Sequence, residues 1–93
     1  MTARGVAILG STGSIGTAAL RVLSRQRDRF EVRALTANSN SALLAAQEDE
    51  FHPRYVGLVT DNGDVRKSWH IGADCLVDAS TLPDADIVLN AIV

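Results

Sequence analysis

Gly5-Val6-Ala7-Ile8-Leu9-Gly10-Ser11-Thr12-Gly13-Ser14-Ile15-Gly16-Thr17-Ala18-Ala19-Leu20 stands at the head of this 93-residue chain. Val6–Leu9 is an apolar run of the length of a buried strand. Gly10, Gly13 and Gly16 then punctuate a loop that runs straight into a helical pattern. Glycines between a strand and a helix let the backbone approach a phosphate closely. The helix N-terminus adds free N–H groups and a partial positive charge. This is the layout of a dinucleotide pyrophosphate cradle. The spacing is G-x-x-G-x-x-G, one residue longer between its first two glycines than the common fingerprint. Three glycines alone say little; their place between a first strand and a first helix gives them weight. Without a ligand, the same stretch is simply a tight strand-to-helix turn.

Downstream, strand and helix patterns alternate. Ser14 to about Ser24 predicts a helix, with Ile15, Ala18, Ala19, Val22 and Leu23 on one face and Ser14 placed to cap it. Arg25–Phe30 is a charged turn, and Glu31–Thr36 a second strand. Asn38-Ser39-Asn40 is a polar loop, with Asn40 or Ser41 capping a second helix that runs to about Glu50. Pro53 stops that region and Tyr55–Val59 is a third strand. Residues 61–69 are expected as a loop with one or two helical turns, and Asp74–Val77 as a short fourth strand. Ile87–Val93 is a strongly apolar fifth. Strands separated by helices imply βαβ units. The expected fold is α/β, a Rossmann-like doubly wound parallel sheet truncated after its fifth strand. A full sheet of this kind has about six strands and builds its site from the loops beyond them. Residues 1–93 therefore read as the N-terminal part of one cofactor domain, cut from a longer protein.

Composition narrows the function classes. Apolar residues at 46% supply a core, and charged residues at 22% are ordinary for a soluble domain. A net charge of −2 without a basic patch speaks against nucleic acid, and no run is long enough to span a bilayer. No signal peptide precedes the first strand, so a cytoplasmic setting is the default expectation. Cys75 is the single cysteine and reads as a buried thiol in a strand interior, not a nucleophile. His52 and His70 lack metal-ligand spacing, Trp69 reads as packing, and Asp84 and Asp86 as solvated turn residues.

NAD-binding units place Asp or Glu at the end of the second strand to take the ribose 2′-OH. Here that position reads Thr36-Ala37-Asn38-Ser39-Asn40, with no acid to repel a 2′-phosphate. Asn and Ser side chains can donate to such a phosphate, so the loop favours NADPH over NADH. Arg33 and Arg54 are close in sequence. The loop's other role, turning the chain and capping a helix, is compatible with this one.

Ile8-Leu9-Gly10-Ser11-Thr12-Gly13-Ser14-Ile15-Gly16 resembles the opening of the 1-deoxy-D-xylulose 5-phosphate reductoisomerases, NADPH enzymes of non-mevalonate isoprenoid biosynthesis. Phe30-Glu31-Val32 with Ala34-Leu35-Thr36-Ala37, Phe51-His52-Pro53-Arg54-Tyr55-Val56, and Asp84 through Val93 extend the likeness along the chain. The resemblance implies that Thr12, Gly13, Ser14 and Ile15 hold the NADPH phosphates. It implies that Asn38, Ser39 and Asn40 receive the 2′-phosphate, and that Ala91 and Ile92 lie near the nicotinamide. The family isomerises and reduces 1-deoxy-D-xylulose 5-phosphate to 2-C-methyl-D-erythritol 4-phosphate. The resemblance therefore implies a sugar-phosphate substrate, Mg²⁺ or Mn²⁺ bound by ligands outside this chain, and a homodimer. There are two departures. Many relatives carry Gly-Lys-Asn where this chain has Asn38-Ser39-Asn40, and the stretch from Thr60 to Pro83 is shorter. The lost lysine, with the missing loops, leads us to expect weak NADPH binding and no turnover by residues 1–93 alone. Two rivals share the glycine turn: an aspartate-semialdehyde-dehydrogenase-like NADP oxidoreductase, and a non-catalytic nucleotide-sensing domain.

Overall fold

The computed structural model describes residues 3–92. The elements run β1 (Arg4–Leu9), α1 (Ser14–Leu23), β2 (Phe30–Ala37), α2 (Ser41–Phe51), β3 (Tyr55–Leu58), β4 (His70–Ile71), α3 (Asp74–Ser80) and β5 (Ile87–Asn90). The five strands form one sheet in the order β4-β3-β2-β1-β5, and every adjacent pair is parallel. This is the α/β parallel sheet expected. From β1 the chain steps outward through β2, β3 and β4, then returns to the other side of β1. The order thus reverses between β1 and β5, which makes a crevice at their carboxyl ends.

Helices cover both faces. Leu20 and Leu23 of α1 and Leu44, Ala45 and Phe51 of α2 pack on Val6, Ile8, Val32 and Leu35. On the opposite face, Cys75 and Ala79 of α3 pack on Ala7, Leu9, Ala34 and Tyr55. Strands buried on both faces need apolar residues at every position, which is why β1 reads as an unbroken apolar run. Ile8, Leu35, Leu44 and Leu58 are fully buried. Each contributes roughly 1.5–3 kcal/mol of burial free energy.

Several local expectations are corrected. Asp74–Ser80 is a helix, not a strand. Its buried residues, Cys75 and Ala79, are four apart, the period of a helix face. Cys75 is buried as expected, but because α3 lies close over β3: a Cβ on Gly57 would stand 2.5 Å from the Cys75 Cβ. Burial raises the thiol's pKa, as it does that of Tyr55, pushed up to about 12 by burial and then by the Asp78 charge. The fourth strand is instead His70–Ile71. Residues 61–69 contain no helix, only a single turn closed by the Trp69 N–H on the Arg66 carbonyl at 3.0 Å. The last strand ends at Asn90, and Val93 lies outside the described residues. Ser14 does not cap α1; Gly13 occupies the N-cap position with no side-chain bond. The buried face of α1 carries Gly16 and Leu20, whereas Ile15 and Val22 are exposed. The second helix starts as expected, with Asn40 Oδ1 accepting from the Leu43 N–H at 3.2 Å.

Asp84 and Asp86 are structural ties, not merely solvated turn residues. Asp86 Oδ2 accepts from the Gly5 N–H at 2.9 Å. Asp84 pairs with Arg54 and lies 3.9 Å from Arg33 Nε. Arg33 sits at a bulge in β2, where Val6 faces Val32 but Ala7 faces Ala34. The Arg54 guanidinium holds the Asp84 carboxyl below its ordinary 3.8. A depressed carboxylate stabilises the fold above its unfolded pKa and loses that contribution as pH falls through the folded value. Arg54→Gln should therefore lower Tm modestly at neutral pH, with the difference from the parent closing as melts are taken progressively below pH 3.8. A gap that stayed constant into strong acid would show the pair to be irrelevant.

Candidate functional site

A cleft of about 380 Å³ opens at the carboxyl ends of β1, β2 and β5. Gly10, Thr12 and Gly13 form one wall and Thr36, Ala37 and Asn38 another; Val59, Leu76, Ala91 and Ile92 complete it. Residues after β1 and after β5 thus meet at the point where the strand order reverses. Gly10 makes that meeting possible. It has φ +83°, and a Cβ there would stand 3.1 Å from the Ala91 carbonyl carbon.

The glycine turn delivers the N-terminus of α1 to the cleft. Gly10 N–H and Ser11 N–H both donate to the Thr36 carbonyl, at 3.0 and 2.8 Å, which ties the turn to β2. Gly13 N–H reaches back to the Gly10 carbonyl at 3.4 Å, a long bond. Among the described residues no acceptor takes the N–H groups of Thr12, Ser14 or Ile15. The first turn of α1 holds no acidic residue and its cap makes no side-chain bond. The partial positive charge of this ten-residue helix is therefore uncompensated where it faces the cleft.

The Asn38–Asn40 loop is braced from the chain beyond β3. Thr60 N–H donates to the Asn38 carbonyl at 2.7 Å, and Thr60 Oγ1 donates to Asn38 Oδ1 at 3.3 Å. Asn62 Nδ2 donates to the Ser39 carbonyl at 2.8 Å and to Ser41 Oγ at 3.0 Å. With its Oδ1 turned toward Thr60, the Asn38 amide keeps its Nδ2 donors for a ligand.

Of the site residues read from sequence, Thr12, Gly13, Asn38, Ala91 and Ile92 line the cleft. Ser14, Ile15, Ser39 and Asn40 do not line it; they stand in the flanking helix turn and loop. Thr36, Ala37, Val59 and Leu76 are lining residues that the sequence reading missed. Thr36 and Ala37 end the second strand, a position that sequence could have flagged. Leu76 could not be found while residues 74–77 were read as a strand. Arg33 and Arg54 are at the other end of the sheet, engaged with Glu31 and Asp84, and bring no charge to the loop. No group of three or more His, Cys, Asp or Glu among the described residues could hold a metal ion, so the residues present do not fit Mg²⁺ or Mn²⁺.

A family profile for 1-deoxy-D-xylulose 5-phosphate reductoisomerase matches residues 6–93. The chain belongs to the 1-deoxy-D-xylulose 5-phosphate reductoisomerase family. The reductoisomerase of Geobacter metallireducens is 43% identical over 95 residues, covering 92% of this chain and 25% of the relative. That of Porphyromonas gingivalis is 39% identical, covering 97% and 26%. Among solved structures, the reductoisomerase of Zymomonas mobilis in complex with NADPH superposes with a TM-score of 0.89 at 33% identity, over 98% of this chain and 26% of that one. A reductoisomerase in complex with NADPH, fosmidomycin and magnesium gives 0.85 at 29% identity, over 96% and 24%. The chain spans about a quarter of the length of these relatives. No helix among the described residues is long and apolar enough to cross a membrane.

Proposed function

We propose that this chain forms the NADPH-binding part of a 1-deoxy-D-xylulose 5-phosphate reductoisomerase, with residues 1–93 as the N-terminal part of its cofactor domain. The observation that carries this reading is the uncompensated N-terminus of α1 opening into the cleft where the strand order reverses. In this reading the backbone N–H groups of Thr12, Gly13, Ser14 and Ile15 receive the pyrophosphate. Asn38, Ser39 and Asn40 receive the 2′-phosphate through neutral donors. Ala91 and Ile92, on the β5 side of the cleft, flank the nicotinamide and shield that end from water.

The bound dinucleotide supplies hydride; this chain's residues bind and orient it. The family likeness and the NADPH complexes of relatives support the assignment. The same reading places the sugar-phosphate and metal ligands in parts of the protein not included here. It carries with it a cytoplasmic setting and a homodimeric parent enzyme. The missing positive charge in the 2′-phosphate loop and the partial site lead to weak binding and no turnover by these residues alone.

Calorimetric titration of the chain with NADPH and with NADH tests the proposal. NADPH should bind more tightly. Equal affinities would remove the 2′-phosphate from the Asn38–Asn40 loop, and binding of neither would show first that residues 1–93 do not hold a formed site by themselves. Product formed from 1-deoxy-D-xylulose 5-phosphate by the chain alone would refute the expectation of no turnover.

A further inference from the structure

Ser11 and Gln47 form a closed, buried pair. Ser11 Oγ donates to Gln47 Oε1 at 2.7 Å, and Gln47 Nε2 donates to the Ser11 carbonyl at 2.9 Å. Ser11 is 0% and Gln47 6% exposed. Gln47 lies one turn after the fully buried Leu44, on the face that α2 presents to the sheet. An apolar residue of similar size would meet the packing needs of that face. A buried amide costs a desolvation penalty that only its hydrogen bonds offset. Both bonds go to a single residue, and that residue belongs to the glycine turn.

The pair has a particular place in the chain. Thr36 precedes the Asn38–Asn40 loop and Gln47 follows it within α2. The Thr36 carbonyl holds the N–H groups of Gly10 and Ser11, while Gln47 holds the Ser11 carbonyl and hydroxyl. The polypeptide on both sides of the Asn38–Asn40 loop therefore grips one residue of the pyrophosphate turn, Ser11. With Ser11 so engaged, the N–H groups of Thr12, Ser14 and Ile15 that follow it are left without an acceptor among the described residues.

We infer that Gln47, through Ser11, is a positioning residue that sets the spacing between the pyrophosphate turn and the 2′-phosphate loop, and so sets the affinity for the intact dinucleotide. This rests on the cofactor reading above. Gln47 does not itself line the cleft. Its effect is exerted on where the Ser11 backbone stands.

The test compares two ligands on the 93-residue chain. NADPH must reach both loops at once. Adenosine 2′-monophosphate, which lacks the 5′-phosphate, engages only the Asn38–Asn40 loop. Gln47→Leu should weaken NADPH by tenfold or more and the monophosphate by less than twofold. Ser11→Ala, which removes only the hydroxyl, should weaken NADPH by a few-fold and the monophosphate not at all. The double variant should lose no more than Gln47→Leu alone, because both act on one pair. Leu44→Val serves as the packing control on the same helix face: it should lower Tm while leaving both affinities within twofold. If Gln47→Leu fails to fold, Ser11→Ala carries the same ligand comparison. NADPH affinity unchanged in the variants, or equal losses for the two ligands, would overturn the inference. A parent chain that binds neither ligand would instead overturn the reading on which it rests, that residues 1–93 form a cofactor site by themselves.

Discussion

Gly16→Ala should abolish measurable NADPH binding and lower Tm by about 10 °C or more, whereas Gly13→Ala should do little. The two glycines belong to one motif and meet different surroundings. A Cβ on Gly16 would stand 2.2 Å from the Gly10 carbonyl oxygen and 2.7 Å from the Ser11 Cα. Both are backbone atoms of the turn, so no rotamer change relieves the clash. Either α1 lifts off the sheet or the turn unwinds. Overpacking of this kind costs roughly 1–3 kcal/mol, and more where only backbone can move. For a domain of this size each kcal/mol shifts Tm by roughly 4–8 °C. The same movement displaces the Thr12–Ile15 N–H groups, so binding falls with stability. At Gly13 the nearest atom to a Cβ is the Gly10 oxygen at 3.7 Å, an ordinary contact, and φ is −76°, open to any residue. Alanine there keeps the N–H in place. Thermal melts and calorimetry on both variants check the contrast. Wild-type affinity in Gly16→Ala would show that the close approach of α1 to the turn is not what forms the site.

That contrast also shows what the sequence could and could not display. β1, α1, β2, α2 and β3 were legible to within about two residues, because apolar runs are bounded there by Gly10, Asn38–Asn40 and Pro53. The face of α1 was not. Counting apolar residues put Ile15 and Val22 inward, yet the helix turns Gly16 and Leu20 to the sheet. A glycine carries no hydrophobic signal, and the requirement that decides the orientation is closeness to Gly10. For β4 and α3 the signals were weak or inverted. His70–Ile71 is two exposed residues on the sheet edge, held by pairing with Gly57 and Leu58. Cys75-Leu76-Val77 has strand-like composition, but α3 buries Cys75 and Ala79 and leaves Val77 exposed. That misreading hid Leu76 from the cleft. The Ser11–Gln47 pair spans 36 positions in sequence, and no local pattern announces it.

The second large effect concerns the choice of dinucleotide. Asn38→Asp should turn a preference for NADPH into a preference for NADH. Asn38 follows β2 directly, where a carboxylate would accept from a ribose 2′-OH. Asn38 lines the cleft, and its Oδ1 already accepts from Thr60 Oγ1. A carboxylate keeps the Thr60 bond, so the loop should hold its shape. What changes is that two Nδ2 donors are lost and a negative charge faces the 2′-phosphate. Two unit charges about 4 Å apart repel by roughly 1 kcal/mol in water and roughly 4 kcal/mol near a protein surface. That range corresponds to about fivefold to nearly a thousandfold in NADPH affinity, with NADH unchanged or improved. Asn38→Ala separates the two contributions, since it removes the donors without adding charge and should weaken NADPH by less. Salt supplies an independent check. Raising ionic strength screens the repulsion and should narrow the gap between Asn38→Asp and Asn38→Ala for NADPH. Parallel losses for NADPH and NADH in Asn38→Asp would mean that the loop supports the adenosine generally. The discrimination between the two cofactors would then have to come from Ser39 and Asn40.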